Sequence, residues 1–192
     1  MHKSTCLALL PFAVLLLQGC AWVHQTVNLN PEPRIEPSNI GRGAPVAVRA
    51  LDKRASKTIG YRGLDSKNAG ITTDQDVARL FQQKVVEGLE RRGFAAIAFT
   101  DQPSRILTVE IRQIEYTTDM EFWKGIVQVK AALRAHASWN GLLFDQTYVA
   151  ERKENVVEAP GAKTNERLIN ETVSEAVQKL LLDDRLTFFL AN

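Results

Sequence analysis

The chain has 192 residues, of which 24 are basic and 22 acidic, so its formal net charge at pH 7 is +2. This near balance gives no reason to expect binding to nucleic acid or to another polyanion. The length suits one domain with a sizeable core.

The first nineteen residues predict a signal peptide. A short basic start, His2 and Lys3, precedes the apolar run 6–17. A helix of that length would span about 18 Å, less than the roughly 30 Å hydrocarbon core of a bilayer. The pattern therefore favours an export signal over a transmembrane helix.

The sequence LQGC at 17–20 is similar to the bacterial lipobox. Gly19 supplies the small residue before the cleavage site, and the Cys20 sulfur would carry diacylglycerol. We predict that residues 1–19 are removed and that acyl chains on Cys20 hold the protein on a membrane, since two or more chains anchor stably. An ordinary signal peptide that happens to contain a cysteine is the alternative.

Residue 21 is Ala, not the Asp that retains many lipoproteins in the inner membrane. This predicts a location on the bacterial outer membrane, with the domain facing the periplasm. Cys6 would be removed and Cys20 acylated, which leaves no thiol for a disulfide, a metal site or catalysis.

Residues 20–44 are predicted to be the lipidated cysteine and a flexible tether. The segment contains Pro31, Pro33 and Pro37 with several Asn and Gly residues and shows no clear helix or strand periodicity. Such composition is typical of linkers. Residues 45–192 are then predicted to form a single α+β domain.

In the first half of this domain, the sequence predicts a strand over 45–54, a glycine-rich loop over 55–73 and then an amphipathic helix. Thr73 can cap the helix and Gly93 can end it. A loop as long as 55–73 is often functional, or contains a short element that the pattern does not reveal. A short apolar strand is predicted over 94–100.

A longer strand is predicted over 105–116, with a phase slip near Ile114 that indicates a β-bulge. The segment 127–152 predicts a hairpin, because alternating apolar residues flank Asn140-Gly141, the preferred type I′ turn. This register places Ala137 opposite Phe144 and His136 opposite Asp145, so that one face is apolar on both strands.

The last long element is a predicted helix over 166–182 with Asn165 as its cap, followed by one more apolar turn in RLTFFL. The predicted fold class is α+β. It is a two-layer sandwich in which a mostly antiparallel sheet of about four to five strands is covered by two amphipathic helices.

The residues indicate no catalytic or metal site and no cofactor. His136 and Asp145 could suggest a catalytic pair, but a cross-strand charge pair on a solvated sheet face is the stronger interpretation. Two histidines after Cys20 and no free cysteine fall short of any zinc-ligand spacing.

Two surfaces are candidates for binding a partner. Loop 52–73 mixes charged and aromatic residues around its glycines, which suits contact with another molecule; the sheet face of the hairpin carries basic residues. The alternatives are a structural loop and a plain solvated surface. The residues singled out are Asp52, Arg54, Tyr61, Arg62 and Leu64 in the loop, and Lys130, Arg134, His136 and Arg112 on the face.

Together these features resemble the YajG family of bacterial lipoproteins. The resemblance rests on LQGC at 17–20, VAVRALDKR at 46–54, IGYRGL at 59–64, RRGF at 91–94 and LTVEIRQIEY at 107–116, with the late hairpin and the helix near NERLIN at 165–170. It implies a periplasm-facing outer-membrane lipoprotein without established catalytic activity, and makes Asp52, Arg54, Ile59 and Gly60 family-like positions.

The sequence thus predicts a non-enzymatic, membrane-anchored accessory lipoprotein whose domain binds an envelope protein or a cell-wall component. Two other classes remain open. One is a cell-wall-modifying enzyme that uses carboxylates, and the other is a lipid or lipopolysaccharide carrier with an apolar cavity between sheet and helices.

Overall fold

The computed structural model describes residues 23–62, 69–99, 105–121, 124–157 and 160–192. The predicted signal peptide, the lipobox-like sequence and Cys20 lie outside the described residues. The described residues form one mixed sheet with helices on one face. The elements are β1 (Gln25–Thr26), β2 (Pro45–Asp52), β3 (Gly60–Tyr61), β4 (Gly70–Thr72), α1 (Val77–Arg91), β5 (Ala95–Ala98), β6 (Arg105–Glu121), β7 (Lys124–Trp139), β8 (Leu142–Val156), α2 (Ala162–Leu181) and α3 (Asp184–Ala191).

The long strand β6 organises the sheet. Its first half pairs in parallel with β2, from Ala47–Ile106 to Asp52–Ile111, and its second half meets β3 at Tyr116. On its other side, β6, β7 and β8 form an antiparallel meander. Strand β5 extends the sheet beyond β2, whereas β4 and β1 extend it beyond β3.

The prediction of an α+β sheet covered by amphipathic helices is confirmed, but the strand count and the antiparallel character are wrong. The sheet has eight strands and is mixed. The chain passes from β2 through β3, β4 and α1 before it enters β5, and this long connection allows β2 and β5 to be parallel. Strands β1, β3 and β4 have two or three residues each, too few to show a periodic pattern.

The hairpin is confirmed residue by residue. Trp139 pairs with Leu142, Ala137 with Phe144 and His136 with Asp145. Asn140 and Gly141 have φ of 47° and 78°, as a type I′ turn requires. The predicted bulge in β6 is also present, as a register shift between Ile111 and Gln113.

The helix boundaries differ from the predicted caps. Asp76 rather than Thr73 caps α1, because its side chain accepts the N–H of Arg79 at 3.0 Å. Helix α2 starts one turn earlier than predicted, so Asn165 is a buried residue within the helix. The apolar turn predicted in RLTFFL is α3, capped by Asp183.

The core lies between the helices and the inner face of the sheet. Side chains at alternate positions of β2, β6 and β7 face the apolar sides of α1 and α2. The largest fully buried residues there include Phe81, Leu89, Leu107, Ile111, Leu133, Leu168 and Leu180. Burial of this apolar surface is the main force that holds the two layers together.

The predicted flexible tether is wrong for the part of 20–44 that the structure describes. Residues 25–35, called the strap below, lie along α2. Their odd-numbered members face inward, with Val27 and Leu29 each 1% exposed and Ile35 3% exposed. The even-numbered members are exposed.

The strap is held by a ladder of hydrogen bonds in which α2 side chains accept alternate backbone N–H groups. Asn28 donates to Glu166 at 2.8 Å, Asn30 to Asn170 at 2.7 Å, Glu32 to Ser174 at 2.8 Å and Arg34 to Gln178 at 3.1 Å. Two extended residues advance about 6.2 Å, and four helical residues advance about 6 Å. The spacing of the donors along the strap therefore matches the spacing of the acceptors along α2, so the ladder continues over four hydrogen bonds.

Candidate functional site

Asp52 and Arg54 form an internal ion pair. The guanidinium donates from Nε to Oδ1 and from Nη2 to Oδ2 of Asp52, both at 2.9 Å, and Lys57 Nζ adds a contact at 2.6 Å. The hydrogen bonds from Arg54 lower the pKa of Asp52 well below its usual value, against the opposite effect of burial. The Arg54 side chain is only 3% exposed. The pair therefore stabilises the chain where it leaves β2.

Tyr61 and Arg62 lie beside the first described residues. Tyr61 is 44% exposed. It pairs with Gly70, which also approaches His24. Arg62 Nη2 donates to the carbonyl of Pro160 at 3.1 Å, next to the start of α2. Of the predicted loop 52–73, residues 63–68, including Leu64, lie outside the described part of the chain. Among the described residues singled out in this loop, Tyr61 is thus the exposed one, whereas Asp52, Arg54 and Arg62 are partly buried.

The outer face of the sheet brings together Arg134, His136 and Arg112, as predicted. Arg134 forms a bidentate pair with Asp145, both distances being 3.0 Å, and Asp145 also contacts His136 Nδ1 at 2.5 Å. The hydrogen bonds from Arg134 lower the pKa of Asp145. Arg112 pairs with Glu110 at 3.1 Å.

Lys130 occupies the same face, between Glu115 on β6 and Glu151 on β8. Acidic and basic side chains alternate here, so the face has no single sign of charge. Its ion pairs are solvent-exposed, and exposed pairs of this kind contribute little to stability or binding.

A third surface, which the sequence reasoning did not identify, lies between the tip of the hairpin and α3. This hairpin cleft has a volume of about 710 Å³ and is lined largely by aromatic and aliphatic side chains. Phe188 is 68% exposed and Leu142 is 59% exposed. Its lining residues include Trp139, Leu142, Phe144, Phe188, Phe189 and Arg185.

Contacts with neighbouring side chains hold the aromatic residues at the floor of the hairpin cleft in place. The Phe144 and Phe189 rings lie with their centroids 5.8 Å apart, and the Arg105 guanidinium lies 4.3 Å from the centre of the Trp139 ring. Tyr148 donates to Asp183 Oδ2 at 2.8 Å and so ties the start of α3 to the sheet. The cleft is therefore built on ordered neighbours, while apolar side chains of its rim remain exposed.

A sequence signal for this cleft did exist. Leu142 and Leu143 follow directly after a turn that must lie at a strand end, and Phe188 and Phe189 are consecutive in a short helix that has only one face to bury. Leu142 and Leu143 are both exposed, at 59% and 82%, and Phe188 is exposed at 68%.

Within the described ranges, no group of three or more His, Cys, Asp or Glu side chains is arranged to hold a metal ion. The described helices include none that is both long and apolar enough to cross a membrane.

These features define a small α+β domain whose candidate sites lie on its surface. The chain belongs to the family Lipoprotein_16, described as uncharacterized lipoprotein, whose family model matches residues 31–191. The match includes the last five residues of the strap, strands β2 to β8 and the three described helices, whereas β1 precedes it. No curated protein matches the sequence.

Solved structures with a similar fold include a Helicobacter pylori protein described as a homolog of the neuraminyllactose-binding hemagglutinin. It is 10% identical, with a TM-score of 0.52, and the alignment covers 85% of this chain and 97% of that one. A Xanthomonas campestris protein is 15% identical, with a TM-score of 0.49 and coverage of 87% and 95%. At this level of identity the likeness to the Helicobacter protein shows the fold alone.

Proposed function

We propose that this lipoprotein is a non-enzymatic accessory protein of the outer membrane, acylated on Cys20 and facing the periplasm. It binds another envelope protein through the hairpin cleft. The observation that carries this proposal is the position of the cleft. It lies at the C-terminal end of α2, whereas the described chain begins near the N-terminal end of the same helix.

The geometry supports this arrangement in two ways. The side chain of Gln25 donates to the carbonyl of Ala162, the first residue of α2, at 2.8 Å. The helix has 20 residues and therefore spans about 30 Å. Val23 follows Cys20 by three positions, so an anchor on Cys20 would hold the N-terminal end of this helix near the membrane. The cleft at the far end would then remain open to a protein partner.

The chemistry of the cleft favours an apolar segment of a protein. Exposed aromatic and leucine side chains that lie together over a firm floor are typical of protein-binding surfaces. The two charged residues of the rim are already engaged, because Arg185 pairs with Asp183 at 3.0 Å and Asp184 lies 3.5 Å from Arg92. The partner therefore needs apolar side chains more than charge.

The test is photocrosslinking in cells from position 188, with Tyr61 and Arg134 as comparison positions on the other two surfaces. We expect one discrete adduct from position 188, identified as an envelope protein by mass spectrometry. An adduct from Tyr61 or Arg134 alone would move the binding site to that surface, and the absence of any adduct would overturn the proposal.

Two further measurements test the alternative functions, a cell-wall-modifying enzyme and a lipid carrier. Turnover of cell-wall substrate by purified residues 21–192 would overturn the non-enzymatic assignment. Lipid that co-purifies with the same fragment, and is displaced by Phe188→Glu, would make the cleft a lipid site instead of a protein site. An unmodified Cys20 in the intact mass of the exported protein would refute acylation.

A further inference from the structure

The strap limits how far the domain can lie from its anchor. His24 Nε2 contacts Thr72 Oγ1 at 2.8 Å, and Gln25 and Thr26 pair with β4, so the chain is part of the domain from residue 24 onward. Val23 lies three positions after Cys20, so three residue steps connect them. At about 3.3–3.6 Å per residue they reach no more than about 11 Å.

This reach is close to the thickness of a headgroup layer. The polar regions add about 10–15 Å in total to a core of about 30 Å, or roughly 5–8 Å on each side. With its acyl chains in the core, Cys20 lies in this layer, and Val23 cannot leave its vicinity. A flexible tether over 20–44 would have allowed the domain to move away, but the strap removes that freedom.

The end of the domain next to the anchor exposes apolar side chains. We call the four residues concerned the anchor end. Val157 follows β8 and is 86% exposed, Val23 is 55% exposed, Tyr61 is 44% exposed and Ile126 is 43% exposed.

Several contacts group these four residues around the start of α2. Ile126 pairs with Asn155, two residues before Val157. Arg62, the neighbour of Tyr61, donates to the carbonyl of Pro160. Valine, isoleucine and tyrosine side chains of this kind suit the boundary between headgroups and acyl chains.

We propose that the anchor end is a membrane-contact surface, so that the domain stands on the lipid headgroups with α2 directed away from them. The ligand of Val23, Tyr61, Ile126 and Val157 is the lipid surface. This inference rests on the proposed acylation of Cys20. It also implies that Tyr61, a predicted partner-binding residue, faces lipid and is not available to a soluble partner.

The test uses the acylated full chain in vesicles of phosphatidylethanolamine and phosphatidylglycerol at a ratio of about 3:1. Because Cys6 is removed with the signal peptide and Cys20 is acylated, an introduced cysteine is the only free thiol. A fluorophore is attached to Val157→Cys or, as the matched control at the opposite end, to Leu143→Cys, where the native side chain is 82% exposed. Nitroxide-labelled headgroups then report proximity to the bilayer.

We expect several-fold stronger quenching at position 157 than at position 143. Equal quenching at the two positions, or stronger quenching at 143, would overturn the inference, because the domain would then lie flat or inverted. Intact mass spectrometry on the same samples reports acylation separately. A failure of acylation is therefore distinguishable from a wrong orientation.

A second variant tests whether side-chain contact with lipid, or only the short connection to Cys20, holds the anchor end at the membrane. Twelve Gly and Ser residues inserted between Ala21 and Trp22 lengthen the connection, so that only side-chain contact can hold the anchor end at the lipid. We expect the preference for position 157 over position 143 to persist in this variant. Loss of the preference would show that the short connection alone holds the domain there, and would refute a lipid-binding surface.

Discussion

The backbone N–H of Asn30 donates to Oδ1 of Asn170 at 2.7 Å, and Nδ2 of Asn170 donates to the carbonyl of Asn28 at 2.9 Å. One side chain of α2 thus satisfies a donor and an acceptor of the strap, as a neighbouring strand would. The strap is therefore an integral part of the fold, and its attachment can be weakened at one residue.

Asn170→Ala is expected to lower the free energy of unfolding of residues 21–192 by about 1–2 kcal/mol, since it removes two hydrogen bonds of the ladder. Urea denaturation measures this loss. Hydrogen exchange should also accelerate at the amide of Asn30, ahead of the amides in β6 and β7.

Lys163→Ala on the exposed first turn of α2 is the matched control and should change stability by no more than about 0.5 kcal/mol. Unchanged exchange at Asn30 in Asn170→Ala would show that the buried side chains of the strap suffice to hold it.

The strap also shows where prediction from the sequence failed. Val27, Leu29, Pro31 and Ile35 occupy odd positions and lie inward, so a period of two was present in the segment. The prolines obscured it, because proline cannot donate to a sheet ladder and is common in linkers. The strap packs on a helix, whose side chains accept the hydrogen bonds that a neighbouring strand would accept in a sheet. The local sequence pattern does not reveal this kind of packing.

The turn and register of the hairpin over β7 and β8 were predictable, because the Asn140-Gly141 turn and the alternation of apolar residues independently fix the same register. The strands themselves extend a few residues beyond the predicted 127–152. The hairpin cleft was not predictable in this way. Each of its walls is locally an ordinary apolar element, and only the docking of α3 beside the hairpin tip brings Phe188 and Leu142 together.

Asp52→Asn tests whether the Asp52–Arg54 pair stabilises the fold. The folded-state pKa of Asp52 lies below its unfolded value of about 3.9. The carboxylate therefore contributes stability above the unfolded value, and this contribution is lost as the pH falls through the folded one. We expect the variant to be about 2 kcal/mol less stable at pH 7, and the difference to shrink steadily below about pH 4.

Chemical denaturation at a series of pH values measures this difference. Asp74→Asn, at an exposed position ahead of α1, is the control and should change stability at pH 7 by no more than about 0.5 kcal/mol. A constant difference between Asp52→Asn and the unmodified chain at every pH would mean that the charge of Asp52 is not responsible.

Gly60→Ala tests the close approach of β3 to β6. A Cβ atom at position 60 would overlap with the backbone carbonyl oxygen of Tyr116, which cannot move without breaking the pairing between the two strands. We expect a loss of more than about 2 kcal/mol in unfolding free energy.

Gly70→Ala on the adjacent β4 is the matched control, because its nearest contact would be an ordinary one at 3.4 Å from His24. Equal stability of the two variants would remove the structural explanation for glycine at this family-like position.

Tyr116→Phe removes a buried hydrogen bond between the sheet and α2. The hydroxyl donates to Asn165 Oδ1 at 2.8 Å, and Asn165 Nδ2 in turn donates to Gln25 Oε1 at 3.0 Å, so one chain of bonds connects β6, α2 and the strap. The variant leaves a buried acceptor without this donor, which should cost about 1–3 kcal/mol at pH 7. Tyr61→Phe, on an exposed ring, should cost less than about 0.5 kcal/mol.

The pH dependence identifies the hydroxyl as the cause. Burial raises the pKa of Tyr116 to about 12, above the value of about 10 expected in the unfolded chain. The stability that this group contributes is therefore fully present below pH 10 and is lost as the pH rises toward 12. The unfolding free energies of the unmodified chain and of Tyr116→Phe should converge over that interval, and parallel curves would show that the phenol is not buried in the folded state.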